Sequence, residues 1–135
     1  MYLFDTDAVT NIFKKKPSEK FLNKITGLKM EEQFISSITI GDIAYGAFKS
    51  RNPGLHLSNL ESLLLRVVNV VYFDINAAYI YGKIRAGLEA EGRIVSDTDM
   101  QIASIAMANN LILITGNIRH FQNITHILLK IFIIT

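Results

Sequence analysis

Short, mostly apolar runs alternate along this chain with stretches of helical periodicity: Tyr2-Leu3-Phe4, Gln33-Phe34-Ile35-Ser36, Val70-Val71-Tyr72-Phe73 and Leu111 to Thr115. Strands buried on both faces read as near-continuous apolar runs, and parallel strands need a helical crossover between them. The pattern therefore predicts a three-layer α/β/α sandwich with a central parallel sheet of four to five strands, the fifth from Ile127 to Ile134. Each crossover should be right-handed. Among the intervening helices, one is expected from Ala8 to Lys15 and a second, opened by Pro17, runs to Gly27. Thr39 is read as the N-cap of a helix from Ile40 to Phe48, and Asn52-Pro53-Gly54 as a turn. Leu57, Leu60, Leu64 and Val67 then recur at helical spacing. Asp74 caps a long helix that reaches Glu91 and stops at Gly92. Ser96 or Asp97 caps a last helix through Ala108, whose only polar stripe is Gln101 and Ser104.

No repeat or linker divides the 135 residues, which are read as a single domain, 1–135. With no cysteine, disulfide staples and thiolate zinc sites are excluded. Half the residues are hydrophobic, which excludes intrinsic disorder. The opening segment Met1 to Asp7 has no basic region and carries two acids where a secretory signal would be apolar. The apolar stretch from Ile124 to Thr135 is interrupted by His126 and Lys130 and is too short to span a bilayer. The expected location is the cytoplasm, with no membrane partner.

In an open parallel sheet, ligands sit beyond the carboxyl ends of the strands, where the strand order reverses. That edge is acidic here. Asp5 follows the first strand, Asn117 follows the fourth, and Asp42 and Asp99 lie in early turns of helices that leave the same edge. Oxygen donors of this kind suit Mg2+ or Mn2+. Such an ion relieves the repulsion between neighbouring carboxylates and lowers the pKa of water, so no side-chain nucleophile is required. Each acid also has a simpler reading: Thr39-x-x-Asp42 and Ser96-x-x-Asp99 have capping-box spacing, and Asp97 reads as a plain cap. Asp5 resists that reading, because an acid at the end of a buried strand needs a partner.

The basic residues are less directive. Lys14, Lys15, Lys16, Lys20, Lys24 and Lys29 fit either an RNA backbone or a solvated helix face. Arg85 and Arg119 are the preferred phosphate contacts. Tyr45, Tyr79 and Tyr81 are read as core or dimer contacts before base-stacking platforms. The net charge of +2 is compatible with RNA once Asp5, Asp42 and Asp99 are set aside as a pocket, since base then clearly exceeds acid elsewhere.

Taken together, Phe4-Asp5-Thr6-Asp7, the segment Ser36 to Ala47, Asp97-Thr98-Asp99-Met100-Gln101-Ile102-Ala103, Leu113 to Asn117 and His120-Phe121 resemble PIN-domain proteins, most closely the VapC toxins of type II toxin–antitoxin pairs. The resemblance implies a Mg2+- or Mn2+-dependent endoribonuclease that hydrolyses structured RNA such as tRNA or rRNA. It assigns the catalytic positions to Asp5, Asp42, Asp99 and Asn117, the metal to Asp5, Asp99 and Asp42, and a supporting role to Thr6, Thr115 and Asp97. A cognate antitoxin and a homodimer are implied as partners, and DNA binding only through the antitoxin. The chain departs from the family pattern in Asp42 where Glu is usual, Asp7 where Asn is common, and Asn117 where many relatives carry Asp.

Other readings fit less of the chain. A haloacid-dehalogenase-type phosphatase explains Asp5-Thr6-Asp7 but needs late acidic ligands, and no Asp or Glu follows Asp99. A receiver domain drawn from Asp5, Asp7, Asp74, Thr115 and Lys130 would place its lysine inside an apolar run. A PIN-like module that binds RNA or protein with little or no catalysis is the alternative that the departures at Asp42 and Asn117 motivate.

Overall fold

The computed structural model describes residues 1–12, 19–124 and 131–133. Five parallel strands form one sheet in the order β3-β2-β1-β4-β5: β1 (Tyr2–Phe4), β2 (Gln33–Ser36), β3 (Asn69–Val71), β4 (Ile112–Thr115) and β5 (Ile131–Ile133). The helices are α1 (Thr6–Ile12), α2 (Glu19–Thr26), α3 (Ser37–Lys49), α4 (Pro53–Asn59), α5 (Ile75–Ala90) and α6 (Asp97–Ala108). Strand order runs outward from β1 to β3 on one side and through β4 to β5 on the other, so β1 and β4 flank the switch point.

Alternation of side chains along the strands divides the core into two layers. Leu3 of β1 and Leu113 of β4 are paired in register and belong to the layer that α5 and α6 cover. Their successors Phe4 and Ile114, with Ile35 of β2, belong to the opposite layer beneath α1 and the segment after α4. Helix α6 is buried around most of its circumference, from Met100 through Ala106. Its expected polar stripe is reduced further, because Ser104 is itself buried and donates to the Met100 carbonyl at 2.6 Å. Helices α5 and α6 stop by the same device. Gly92 (φ 70°) and Asn110 (φ 53°) adopt the left-handed conformation, and the next amides, of Arg93 and Leu111, donate back to Leu88 and Ala106.

Several expected boundaries shift, each for a local reason. Helix α1 starts at Thr6 because Asp5 is its cap, accepting from the Ala8 amide at 2.7 Å. Ser36, not Thr39, caps α3: its hydroxyl accepts the Thr39 amide, so Thr39 lies inside the helix. Asn52-Pro53-Gly54 is a helix start, with Asn52 as cap and Pro53 in the first turn. Leu60–Leu64 form a π-turn in which the Leu65 amide reaches the Leu60 carbonyl. The extra residue turns Val67 outward and buries Val68 with Leu60 and Leu64. Strand β3 ends at Val71, and Tyr72 is exposed. Pro17, Lys14, Lys15, Lys16, Lys130 and the flanks of β5 lie outside the described residues. Among the described residues no helix is long and apolar enough to cross a membrane.

Candidate active site

Beyond the carboxyl ends of β1 and β4 opens a pocket of about 480 Å³. Asp5, Thr6, Asp7, Asp42, Asp99, Arg119 and His120 are among its lining residues. Asp5 is 3% exposed, and both its oxygens are engaged: Oδ1 by the Ala8 amide, Oδ2 by the Thr115 hydroxyl in a short hydrogen bond. Thr115 in turn accepts the Asn117 amide at 3.0 Å, so the end of β4 holds the acid at the end of β1. Burial is the main force on this carboxyl and pushes its pKa up to about 6; the hydrogen bonds from Thr115 and Ala8 oppose the shift, while the charges of Asp7 and Asp99 add to it.

The other acids reach the pocket from helices. On α3, Asp42 Oδ2 accepts from the Thr6 hydroxyl at 2.9 Å. Thr6 stands within 3.3 Å of the buried Thr39 hydroxyl, and Thr39 within 3.3 Å of Ser36. This line of hydroxyls ties the starts of α1 and α3 together. Asp99 sits one turn into α6, and its amide donates to the cap Ser96. Burial again raises its pKa, opposed by Ser96 and His120 and assisted by Asp7 and Asp42. His120 Nδ1 lies 3.7 Å from a carboxylate oxygen of Asp7 and 3.7 Å from one of Asp99.

The structure thus brings Asp5, Asp42, Asp99 and Thr6 to one pocket, with Thr115 directly behind Asp5 and Arg119 at its edge. Three of the expected site residues are placed differently. Asp97, two positions before Asp99, points about 200° away around the helix. Its carboxylate accepts from the Tyr81 hydroxyl at 3.1 Å and pairs with Arg85 at 3.4 Å. Arg85 also binds Glu89 and Tyr81, and it lines a second, smaller pocket with Asp97 instead of the acidic one. Asn117 does not line the acidic pocket: its Nδ2 stands 3.0 Å from Nε2 of His120. Conversely, Asp7 and His120 are pocket residues that sequence reasoning did not select. Their signals were the second acid after the strand end and a histidine one short turn past Asn117.

The donor set suits a hard divalent cation, since four carboxylates line one small pocket and two of them, Asp5 and Asp99, are held above the usual carboxylate value by burial first and then by neighbouring acids, Asp7 for both. Among the described residues no three acidic or imidazole groups are already drawn together as a metal cluster.

An α/β/α sandwich with a buried acid at its switch point defines the class, and comparison with known proteins identifies it. The PIN domain family model matches residues 2–127, and the chain belongs to the PIN-domain family. Within that family it is similar to Ribonuclease VapC2 of Rickettsia felis, 32% identical over 130 residues that cover 96% of each chain. It is 35% identical to the tRNA(fMet)-specific endonuclease VapC of Salmonella typhimurium over 124 residues, 92% of this chain and 93% of that protein. The solved structure of VapBC-1 from nontypeable Haemophilus influenzae superposes with a TM-score of 0.86 at 31% identity, covering 98% of this chain and 96% of that one.

Proposed function

We propose that this chain is a VapC-type toxin, an endoribonuclease that hydrolyses phosphodiester bonds in structured RNA with the help of a bound Mg2+ or Mn2+. The observation that carries the reading is the convergence of Asp5, Asp42 and Asp99, from three separate elements, on one pocket at the sheet's switch point. Similarity to VapC ribonucleases supports it independently. Asp5, Asp42 and Asp99 would hold the cation. When bound, the cation supplies positive charge against the phosphate and lowers the pKa of water.

The chain's own residues do the remaining work. Thr115 and the Ala8 amide fix both oxygens of Asp5, so that carboxyl cannot swing away. Thr6 orients Asp42 by donating to one oxygen, which leaves the other open to the pocket. Arg119, exposed at the pocket edge, would meet a phosphate of the bound RNA. In this reading the nucleophile is water, and no side chain need form a covalent intermediate. Partners follow from similarity to VapBC structures: a cognate antitoxin that blocks the site. A homodimer and a cytoplasmic location complete the reading.

Sequencing the 5′ ends of RNAs produced during brief induction tests the activity. Recurrent new ends at one or a few positions in a structured RNA are expected from the wild-type chain. A pattern identical to that of uninduced cells would leave the binding-module alternative in its place.

A further inference from the structure

The imidazole of His120 is the one nitrogen ring among the groups lining the acidic pocket. Its Nδ1 stands equally far, 3.7 Å, from Asp7 Oδ2 and Asp99 Oδ2. A charge-assisted hydrogen bond would close to about 2.7–2.9 Å, and a ring committed to one carboxylate would leave the other. Two donors on a single ion, each about 2.1 Å from it, stand roughly 3–4 Å apart depending on the angle between the bonds. Each 3.7 Å separation, taken pairwise, falls within that range. We propose that His120 supplies a nitrogen ligand, beside Asp99 and Asp7, to the cation of this pocket, and thereby makes the site prefer a first-row transition ion such as Mn2+ over Mg2+.

Asn117 gives the ring its orientation. Its carboxamide meets Nε2 at 3.0 Å, and a half-turn of that amide exchanges its nitrogen for its oxygen at the same place. With Oδ1 there, Nε2–H is the donor and the lone pair is left on Nδ1, facing the acids. Histidines that ligate metals have their second nitrogen engaged in this way. Asn117 is then a positioning residue that acts through His120. The adjacent Phe121 is fully buried, and its ring meets the imidazole edge-on at 6.3 Å, so the turn that carries His120 is anchored in the core. Imidazole favours transition ions, whereas Mg2+ prefers oxygen alone, so one added nitrogen changes selectivity more than overall affinity.

The inference rests on the metal-dependent reading above and adds a ligand and a selectivity to it. The test uses the full chain, stripped with chelator and loaded with less than one equivalent of Mn2+. Pulsed electron paramagnetic resonance is expected to detect nitrogen coupling to the bound Mn2+, and His120→Ala to abolish it while leaving the circular dichroism spectrum unchanged. In Mg2+ competition, the Mn2+ preference should fall about tenfold or more in His120→Ala. Bound Mn2+ without nitrogen coupling, or coupling that persists in His120→Ala, overturns the proposal but leaves the metal-dependent reading standing. Failure of the wild-type chain to bind Mn2+ at all overturns both.

Discussion

Asp5→Asn is expected to abolish RNA cleavage, by a factor of about a thousand or more, and at the same time to make the metal-free protein harder to unfold at pH 7.5. The two effects have one origin. Asp5 is buried beside Asp7 and Asp99, and its pKa in the folded chain is pushed up to about 6. A carboxyl whose pKa is higher folded than unfolded stabilises the fold below the unfolded value, near pH 4, and that contribution is lost as pH rises through the folded value. At pH 7.5 the full cost of the buried charge is present, on the order of 3 kcal/mol for a shift of this size. Asn keeps the acceptor that Ala8 uses and removes the charge, at the expense of the Thr115 hydrogen bond. Urea unfolding with chelator present should therefore show the variant ahead at pH 7.5 and the advantage gone at pH 4. A difference from the wild-type chain that is the same at both pH values would mean that Asp5 is not strained by its surroundings.

The second large effect is structural and lies beneath the same site. Phe121 has no exposed surface and belongs to the core layer of Leu3, Leu113, Ala103 and Ile124. It follows directly on the short turn Ile118–His120, so its ring is the anchor for the pocket's His120 and Arg119. Phe121→Ala removes a fully buried ring and leaves a cavity, with an expected loss of about 3–5 kcal/mol. Denaturant titration measures that loss. Because the anchor goes with the ring, Mn2+ affinity should fall too, even under conditions where the variant remains folded. A loss below about 1 kcal/mol would show that the site collapses around the gap and that the ring is not the anchor described here.

How much of this was legible in the sequence differs between the sheet and the pocket. The strands could be read because burial on both faces demands apolar runs, and the runs end in Asp5 and before Asn117 as the sheet does. The long helix between Asp74 and Gly92 could be read from its two punctuating residues. Helix starts were less legible wherever one side chain serves two purposes. Asp5 both caps α1 and lines the pocket, which moves the helix forward to Thr6. The π-turn at Leu60–Leu64 left no trace in the apolar spacing, because one inserted residue only exchanges the neighbours Val67 and Val68.

In the pocket, Asp5, Asp42 and Asp99 were legible because strand ends and first helical turns are positions that topology brings together. Asp97 and Arg85 were not, since the direction of a side chain around a helix decides which face it serves; theirs is the α5–α6 seam, with Tyr81 between them. Asp7 and His120 depend on a turn that only the folded loop after β4 defines. Their meeting across the pocket links the first helix to that loop, a contact between residues more than a hundred positions apart that no local pattern announces.

The central claim is that these acids hold a cation on which cleavage depends. Its most direct test is single-turnover cleavage of a structured RNA by chelator-stripped protein, with and without added Mn2+, for the wild-type chain and for Asp99→Asn. The wild-type chain should cleave only when Mn2+ is restored, and Asp99→Asn at least a hundredfold less under the same conditions. Cleavage by the stripped wild-type protein, or wild-type rates in Asp99→Asn, would contradict that claim.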